Sequence, residues 1–124
     1  MDRIKHFTDL DVWQEAHKLV LLIYKITSTF PSTEIYGITS QLRRAVVSIT
    51  SCIAEGFYRY HYKDRLNFYY DARGSIGEVQ SQIIESKDLG FCNEADFTKV
   101  WDLSEKVRMI LQGLISSTEK LSRR

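Results

Sequence analysis

The residues that could do chemistry in this chain do not stand at catalytic or metal-binding spacing. His6, His17 and His61 are its only histidines, and none is flanked by carboxylates at the spacing of a metal site. The Glu-x-x-His pairs of a di-iron bundle are also absent. Ser48 and Ser75 have no histidine at a fixed spacing and no nucleophile elbow around them. The sequence therefore predicts no catalytic residue, no metal site and no cofactor.

The cysteines and the apolar segments indicate the compartment. Cys52 and Cys92 match neither a ligand spacing nor a redox motif, as is typical of free thiols in a reducing environment. The N-terminal residues contain no apolar signal region, and no run approaches the roughly 18 apolar residues of a membrane span. We therefore expect a cytoplasmic protein with no membrane partner.

Aromatic and basic residues alternate in the segment FYRYHYKDR, residues 57–65. Its tyrosines could stack on bases while cations from this segment and the neighbouring helices meet phosphates. Against this, the net charge of the chain is only +1, and a solvated connection whose tyrosines pack on the bundle or on a neighbouring chain explains the pattern equally well. On the first interpretation, the predicted nucleic-acid contacts are Arg43, Arg59, Tyr60, Lys63, Arg65 and Arg73.

A polar row accompanies the apolar row of the segment QLRRAVVSITSCIAEG, residues 41–56. At helical spacing the apolar row builds a core, and the polar row lies beside it on the surface. Such a row is either solvated or contacts another helix or chain. One side of the next helix contains Gly74 and Gly77. Glycine inside a helix is either merely tolerated or allows another helix to approach closely, and we expect a close approach here. The residues predicted to specify helix register or subunit contacts are Gln41, Arg44, Ser48, Glu55, Gly74 and Glu78.

Glu55 is unfavourably placed for a helix surface. A carboxylate in the last helical turn faces the negative end of the helix dipole, which costs roughly 0.3 to 1 kcal/mol if nothing compensates. We therefore expect a cationic or hydrogen-bond-donating partner for Glu55, with Arg44, Arg43 or Arg73 as the candidates.

Four long amphipathic segments position these residues. The first helix is predicted from about Asp9, its N-cap, to Thr29, where Phe30-Pro31 stops it. The second starts after a cap at Ser32 or Thr33 and ends at Gly56 as a C-terminal cap. The third starts near Asp64 and ends at Gly90, and the fourth opens with the capping pair Asn93 and Asp96.

These segments define the fold class. Their apolar seams and short connections predict an all-α fold, an antiparallel up-down-up-down four-helix bundle. At 124 residues the chain forms one domain, residues 1–124, with no second domain or repeat visible. Its 17 basic and 16 acidic residues exclude bulk electrostatic attraction to nucleic acid, so any such binding needs a local patch.

Several short motifs, in order along the chain, together resemble one family. They are F-x-D-L-x-V-W-Q (residues 7–14), Phe30-Pro31 with Glu34, QLRRA-x-x-S-I (residues 41–49), I-A-E-G (residues 53–56) and A-R-G-S-I-x-E (residues 72–78). This combination resembles the four-helix bundle proteins encoded in intervening sequences of bacterial 23S rRNA genes. The same family includes the accessory variability proteins of diversity-generating retroelements.

The resemblance implies a bacterial cytoplasmic bundle that assembles as a ring-like homopentamer. In the retroelement branch it implies a basic ring that binds a reverse transcriptase and nucleic acid, whereas the intervening-sequence branch has no assigned biochemical role. The near-neutral charge of this chain departs from the basic retroelement proteins and favours the intervening-sequence branch.

Two functional hypotheses follow. The first is a non-enzymatic homo-oligomer, pentameric by resemblance, whose assembled ring binds structured RNA or DNA through repeated copies of the basic patch. The alternative is a scaffold that binds a partner polypeptide and never touches nucleic acid.

Overall fold

The computed structural model describes residues 4–124. It contains four long helices, α1 (Asp11–Thr27), α2 (Ile38–Phe57), α3 (Tyr62–Asp88) and α4 (Glu94–Ser122). Short 3-10 helices cover Phe7–Asp9 and Ser32–Glu34. Over the described range there is no strand. Each helix packs on the next and α4 packs back on α1, while the Cα atoms of diagonally opposite helices stay more than 8 Å apart. The predicted all-α four-helix bundle is confirmed.

The core follows the predicted apolar seams. On α3 the side chains of Tyr69, Ile76 and Ile83 are at most 1% exposed, because residues spaced by three or four positions share one side of a helix. On α4 the seam runs through Val107, Leu111 and Ile115, which are fully buried, whereas Leu114 is only partly buried.

The ends of the first two helices differ from the predictions. Asp9 does not cap α1, because its carboxylate accepts the backbone N–H groups of Lys5 and His6 and closes the preceding 3-10 helix. The predicted cap of the second helix at residues 32–33 is also wrong. Those residues form a separate 3-10 turn, and α2 begins only after Gly37, whose backbone (φ −110°, ψ −122°) is not helical.

The caps of the last two helices match the predictions. Asn93 Oδ1 accepts the Asp96 N–H at 2.8 Å and starts α4. Gly90 follows the end of α3 with φ +82°, a left-handed conformation that glycine adopts without steric cost.

Gly56 has a different role from the predicted C-terminal cap. It lies inside α2, without a positive φ, and is fully packed against α3. A Cβ atom added there would lie 2.8 Å from Cε1 of Tyr69 and 3.0 Å from Cβ of Phe68. Gly56 is therefore the glycine that allows two helices of this bundle to approach closely.

Candidate functional site

The connection between α2 and α3 lies at the same end of the bundle as the C-terminus of α4. Helices in an up-down bundle alternate in direction, so the start of α3 and the end of α4 share one end. A surface pocket of about 630 Å³ joins them, lined by residues 61–64 on one side and by Leu121, Ser122 and Arg124 on the other. The structure thus brings the basic connection together with the C-terminal residues.

This arrangement adds three cations that the sequence analysis did not assign to the patch. Within residues 58–65 and 120–124 there are six cations and one acidic residue, Asp64. The topology alone could have revealed the additional cations, because it was predicted correctly and the C-terminal segment is visibly basic. We call this surface the basic end; its cations are Arg59, Lys63, Arg65, Lys120, Arg123 and Arg124.

Two arginines order the connection itself. Arg65 Nε donates to the Arg59 carbonyl oxygen at 2.7 Å, and the Arg65 guanidinium lies 5.5 Å from the Tyr62 ring centroid. The Arg59 guanidinium lies 4.7 Å above the ring of Phe68. Because its side chain remains 49% exposed, Arg59 keeps access to a ligand, whereas Arg65 is half-buried and mainly holds the loop.

The tyrosines of the connection are exposed, as stacking on bases would require. Tyr60 is 88% exposed and meets the His61 ring in a T-shaped contact, so at least one face of its ring is accessible. Tyr58 is 60% exposed but packs its ring against Phe7. Tyr60 is therefore the best placed of the three to meet a base.

Arg43 and Arg73, both predicted nucleic-acid contacts, do not lie at the basic end. Arg43 is 14 residues from the end of α2, or about 20 Å along its axis, and Arg73 is about 16 Å along α3 from its first residue. Arg43 Nε donates to Thr27 Oγ1 at 3.0 Å, and Arg73 Nη1 donates to Gln112 Oε1 at 3.1 Å. Their predicted clustering around the connection is wrong, because the helix length separates residues that look close in the sequence.

Substituting Arg43 with alanine tests this separation. We expect the variant to lose about 1 kcal/mol of stability, because Arg43 also stacks 4.7 Å over the ring of Tyr24 and ties α2 to the end of α1. Its affinity for RNA should stay within about twofold of the unchanged protein, since the side chain is remote from the basic end. Thermal unfolding and an RNA titration measure the two effects; a large loss of affinity with unchanged stability would contradict this placement.

Glu55 has the cationic partner that was expected, but the partner is none of the three candidates. Its Oε2 lies 3.3 Å from Nη2 of Arg59, one helical turn further along. Arg44 is 11 residues away, about 16 Å along α2, so it cannot reach Glu55. Both side chains of the Glu55–Arg59 pair are about half exposed, so the pair contributes little stability and instead orients Arg59.

Four of the six residues predicted to specify contacts share one groove between α2 and α3. Gln41, Arg44 and Ser48 line it from α2, and Glu78 lines it from α3. Ser75 donates to Ser48 at 3.0 Å, which links the two helices beneath the groove. The groove has a volume of about 580 Å³, and Tyr36, Ser40, Ala45 and Gln82 complete its walls.

Within the described part of the chain, the charges in this groove are not paired. Among residues 4–124, neither Arg44 nor Glu78 has a salt bridge, and the buried Gln82 Oε1 has no hydrogen-bond donor. Tyr36 at its edge is 95% exposed. Gln41, Arg44 and Ser48 of the polar row therefore line an open groove and are available to a partner.

Gly74 and Gly77 do not mediate helix contact inside the bundle. A Cβ atom added at either would have no neighbour within 4 Å among the described residues. The predicted close approach is therefore wrong within the subunit, where Gly56 has that role. The two glycines leave a low, exposed surface on α3.

The described part of the chain offers no other obvious chemical site. In residues 4–124, no group of three or more His, Cys, Asp or Glu side chains is arranged to hold a metal ion. Burial raises the pKa of both Cys52 and Cys92, so neither thiol is activated as a nucleophile. None of the helices in this range is both long and apolar enough for a membrane span.

Comparison with known protein families gives a match. A family model described as 23S rRNA-intervening sequence protein matches residues 8–113, which includes both the α2–α3 connection and the groove. None of the curated proteins matches the chain.

Proposed function

The chain belongs to the 23S rRNA-intervening sequence protein family, and from this premise we propose that it is a non-enzymatic, cytoplasmic homo-oligomer that binds structured RNA or DNA. The proposed assembly is a pentamer, as the resemblance in its sequence motifs implies. In this proposal the basic end of each subunit meets the nucleic acid, and the groove between α2 and α3 forms part of the contact between subunits.

The basic end is the observation that carries the nucleic-acid proposal. Residues 58–65 and 120–124 carry six cations and one acid in a chain whose net charge is only +1, and Glu55 beside them pairs with one of these cations, Arg59. Cations beside exposed tyrosines are the combination that binds phosphates and stacks on bases. The remaining surface is correspondingly more acidic, so the protein should approach nucleic acid in one orientation.

Assembly compensates for the small size of each patch. One patch of three or four phosphate contacts binds weakly at physiological salt, but linked copies convert later contacts into intramolecular ones. Avidity of this kind raises affinity by about 10² to 10⁴ without any new contact. Arg44 and Glu78 line the groove and have no ion-pair partner among the residues that the structure describes, which supports a subunit contact on that face.

An RNA titration at several salt concentrations tests the proposal. We expect binding of a structured, fluorescently labelled RNA at about 50 mM salt and a steep loss of affinity by about 200 mM. The slope of log affinity against log salt concentration should be about −3 or steeper. A heparin competitor measures how much of the binding is general to polyanions. Absence of binding at low salt would defeat the nucleic-acid proposal.

A second candidate function is a scaffold for a partner polypeptide, such as the reverse transcriptase implied for the related branch. It is favoured by exposed apolar side chains around a shallow groove between α1 and α2, where Tyr24, Ile35 and Val47 are 42%, 46% and 38% exposed. The same titration separates the candidates, because a scaffold alone has no salt-dependent affinity for RNA.

A further inference from the structure

Two exposed rows of opposite charge run along this bundle with the same period. On α3, Asp71, Glu78 and Glu85 are exposed and seven residues apart, so they lie along one side of the helix. On α4, Lys99, Lys106 and Lys120 are exposed and share a seven-residue period. The exposed Gly113 occupies the remaining position of that period. We call the two rows the acidic row and the basic row.

The two rows face opposite sides of the bundle. The acidic row lies toward α2, because Glu78 lines the groove that α3 forms with that helix. The basic row lies toward α1, because Lys106 Nζ reaches Glu15 Oε1 at 3.0 Å. Since α2–α3 and α1–α4 are opposite faces of a four-helix bundle, one subunit cannot pair the two rows with each other.

The rows also lie at the same level along the bundle axis. Gln80 Nε2 donates to Glu105 Oε1 at 2.8 Å, so these two residues lie at the same level along the bundle axis. Arg73 Nη1 donates to Gln112 Oε1, so those two residues also share a level. One step up α3 corresponds to one step down the antiparallel α4. Glu78 is therefore within one residue, or about 1.5 Å, of the level of Lys106, and the same relation holds between Glu85 and Lys99.

From this match we propose that copies of the chain assemble head to tail, with the acidic row of one copy against the basic row of the next. The inference rests on the proposed homo-oligomer and names its two surfaces. Glu85 and Glu78 then meet Lys99 and Lys106 of the neighbouring copy, while Asp71 lies opposite Gly113, where the missing side chain permits close approach. Such a contact between two different faces forms a closed ring or an open filament.

Other charges on the two faces do not cancel the match. The basic face also carries Lys18 and Lys25 on α1, against Asp11, Glu15 and Asp102, so its cations still outnumber its acids. Glu15 is shared by Lys18 and Lys106, and the Lys106 side chain remains 59% exposed. On the acidic face, Arg44 lines the groove beside Glu78 but does not form an ion pair with it. Lys99 and Glu85 are the simplest pair to test, because neither forms a salt bridge within the described residues.

The common level of the rows has a consequence for function. Copies related by rotation alone, about an axis parallel to the bundle, pair the rows without sliding along the axis. Every basic end then lies on the same rim of the ring. One nucleic acid could contact several basic ends at once, which is the geometry that avidity requires.

Charge reversal tests the two surfaces. Glu85→Lys and Lys99→Glu should each raise the subunit dissociation constant about tenfold, because each replaces an attraction with a repulsion at every contact. The double variant Glu85→Lys/Lys99→Glu should return to within about threefold of the unchanged protein. Arg73→Glu, a cation-to-glutamate reversal like Lys99→Glu but on the side of α3 that faces α4, is the matched control and should have no effect. Analytical ultracentrifugation over a concentration series gives all four values.

The possible outcomes separate this inference from the function on which it rests. If the unchanged protein assembles and neither single reversal weakens it, or if the double variant fails to recover while circular dichroism shows it folded, the assigned surfaces are wrong and the oligomer stands. If the unchanged protein is monomeric at every concentration, the proposed oligomer fails as well.

Discussion

Replacing Arg59, Lys63 and Arg124 with alanine is expected to weaken binding to structured RNA by about 100-fold at 100 mM salt. Each of these cations is placed to neutralise a phosphate, and the slope of log affinity against log salt should fall in magnitude by about 1 for each one removed. Arg59 and Lys63 belong to the connection, whereas Arg124 comes from the other wall of the pocket at the basic end. A salt series by fluorescence anisotropy measures affinity and slope together.

A matched control distinguishes the effect of losing this site from the effect of losing positive charge in general. The triple variant Arg43→Ala/Arg73→Ala/Lys87→Ala removes the same number of positive charges, all from positions outside the basic end and the two charged rows. Its affinity should fall by no more than about threefold. Equal losses in the two triple variants would mean that the nucleic acid responds to net charge and that the basic end has no special role.

Replacing Gly56 with alanine is expected to lower the free energy of unfolding by about 1 to 2 kcal/mol. Alanine normally favours a helix interior over glycine by up to about 1 kcal/mol, but here its methyl group would overlap the buried ring of Tyr69. Overpacking of this kind costs about 1 to 3 kcal/mol, so the steric cost exceeds the helical gain. Thermal unfolding at one fixed protein concentration should show a midpoint lower by several degrees.

Gly77→Ala provides the comparison. Gly77 is also inside a helix, but nothing lies within 4 Å of an added Cβ, so the substitution should stabilise the subunit by up to about 1 kcal/mol. If Gly56→Ala were as stabilising as Gly77→Ala, the close approach of α2 and α3 at Gly56 would be wrong.

These two glycines show where sequence reasoning reached its limit. The apolar spacing identified the buried seams, because a helix turns each periodic set toward one side. The same spacing cannot show which surface another helix approaches, so close packing was assigned to Gly74 and Gly77 and missed at Gly56. Gly56 was interpreted as a cap because it stands near the end of the periodic pattern, and only the position of Tyr69 reveals its role.

The basic end illustrates a similar limit. Arg59 and Lys63 were identified because they alternate with tyrosines in the sequence. Arg43 and Arg73 were included by sequence proximity, although the length of a helix places them far from the connection. Arg124 was missed, although the predicted topology was sufficient to place the end of α4 beside the start of α3. The partner of Glu55 was missed for a related reason, since the nearest cation lay beyond the predicted end of the helix.

The central claim is that identical copies assemble and together present their basic ends to nucleic acid. Light scattering coupled to size exclusion, at 50 mM salt with and without bulk cellular RNA, tests it most directly. The account predicts a protein mass that is a multiple of the 14.5 kDa subunit, and co-elution with RNA that disappears at high salt. A single 14.5 kDa species that elutes apart from RNA at low salt would contradict it.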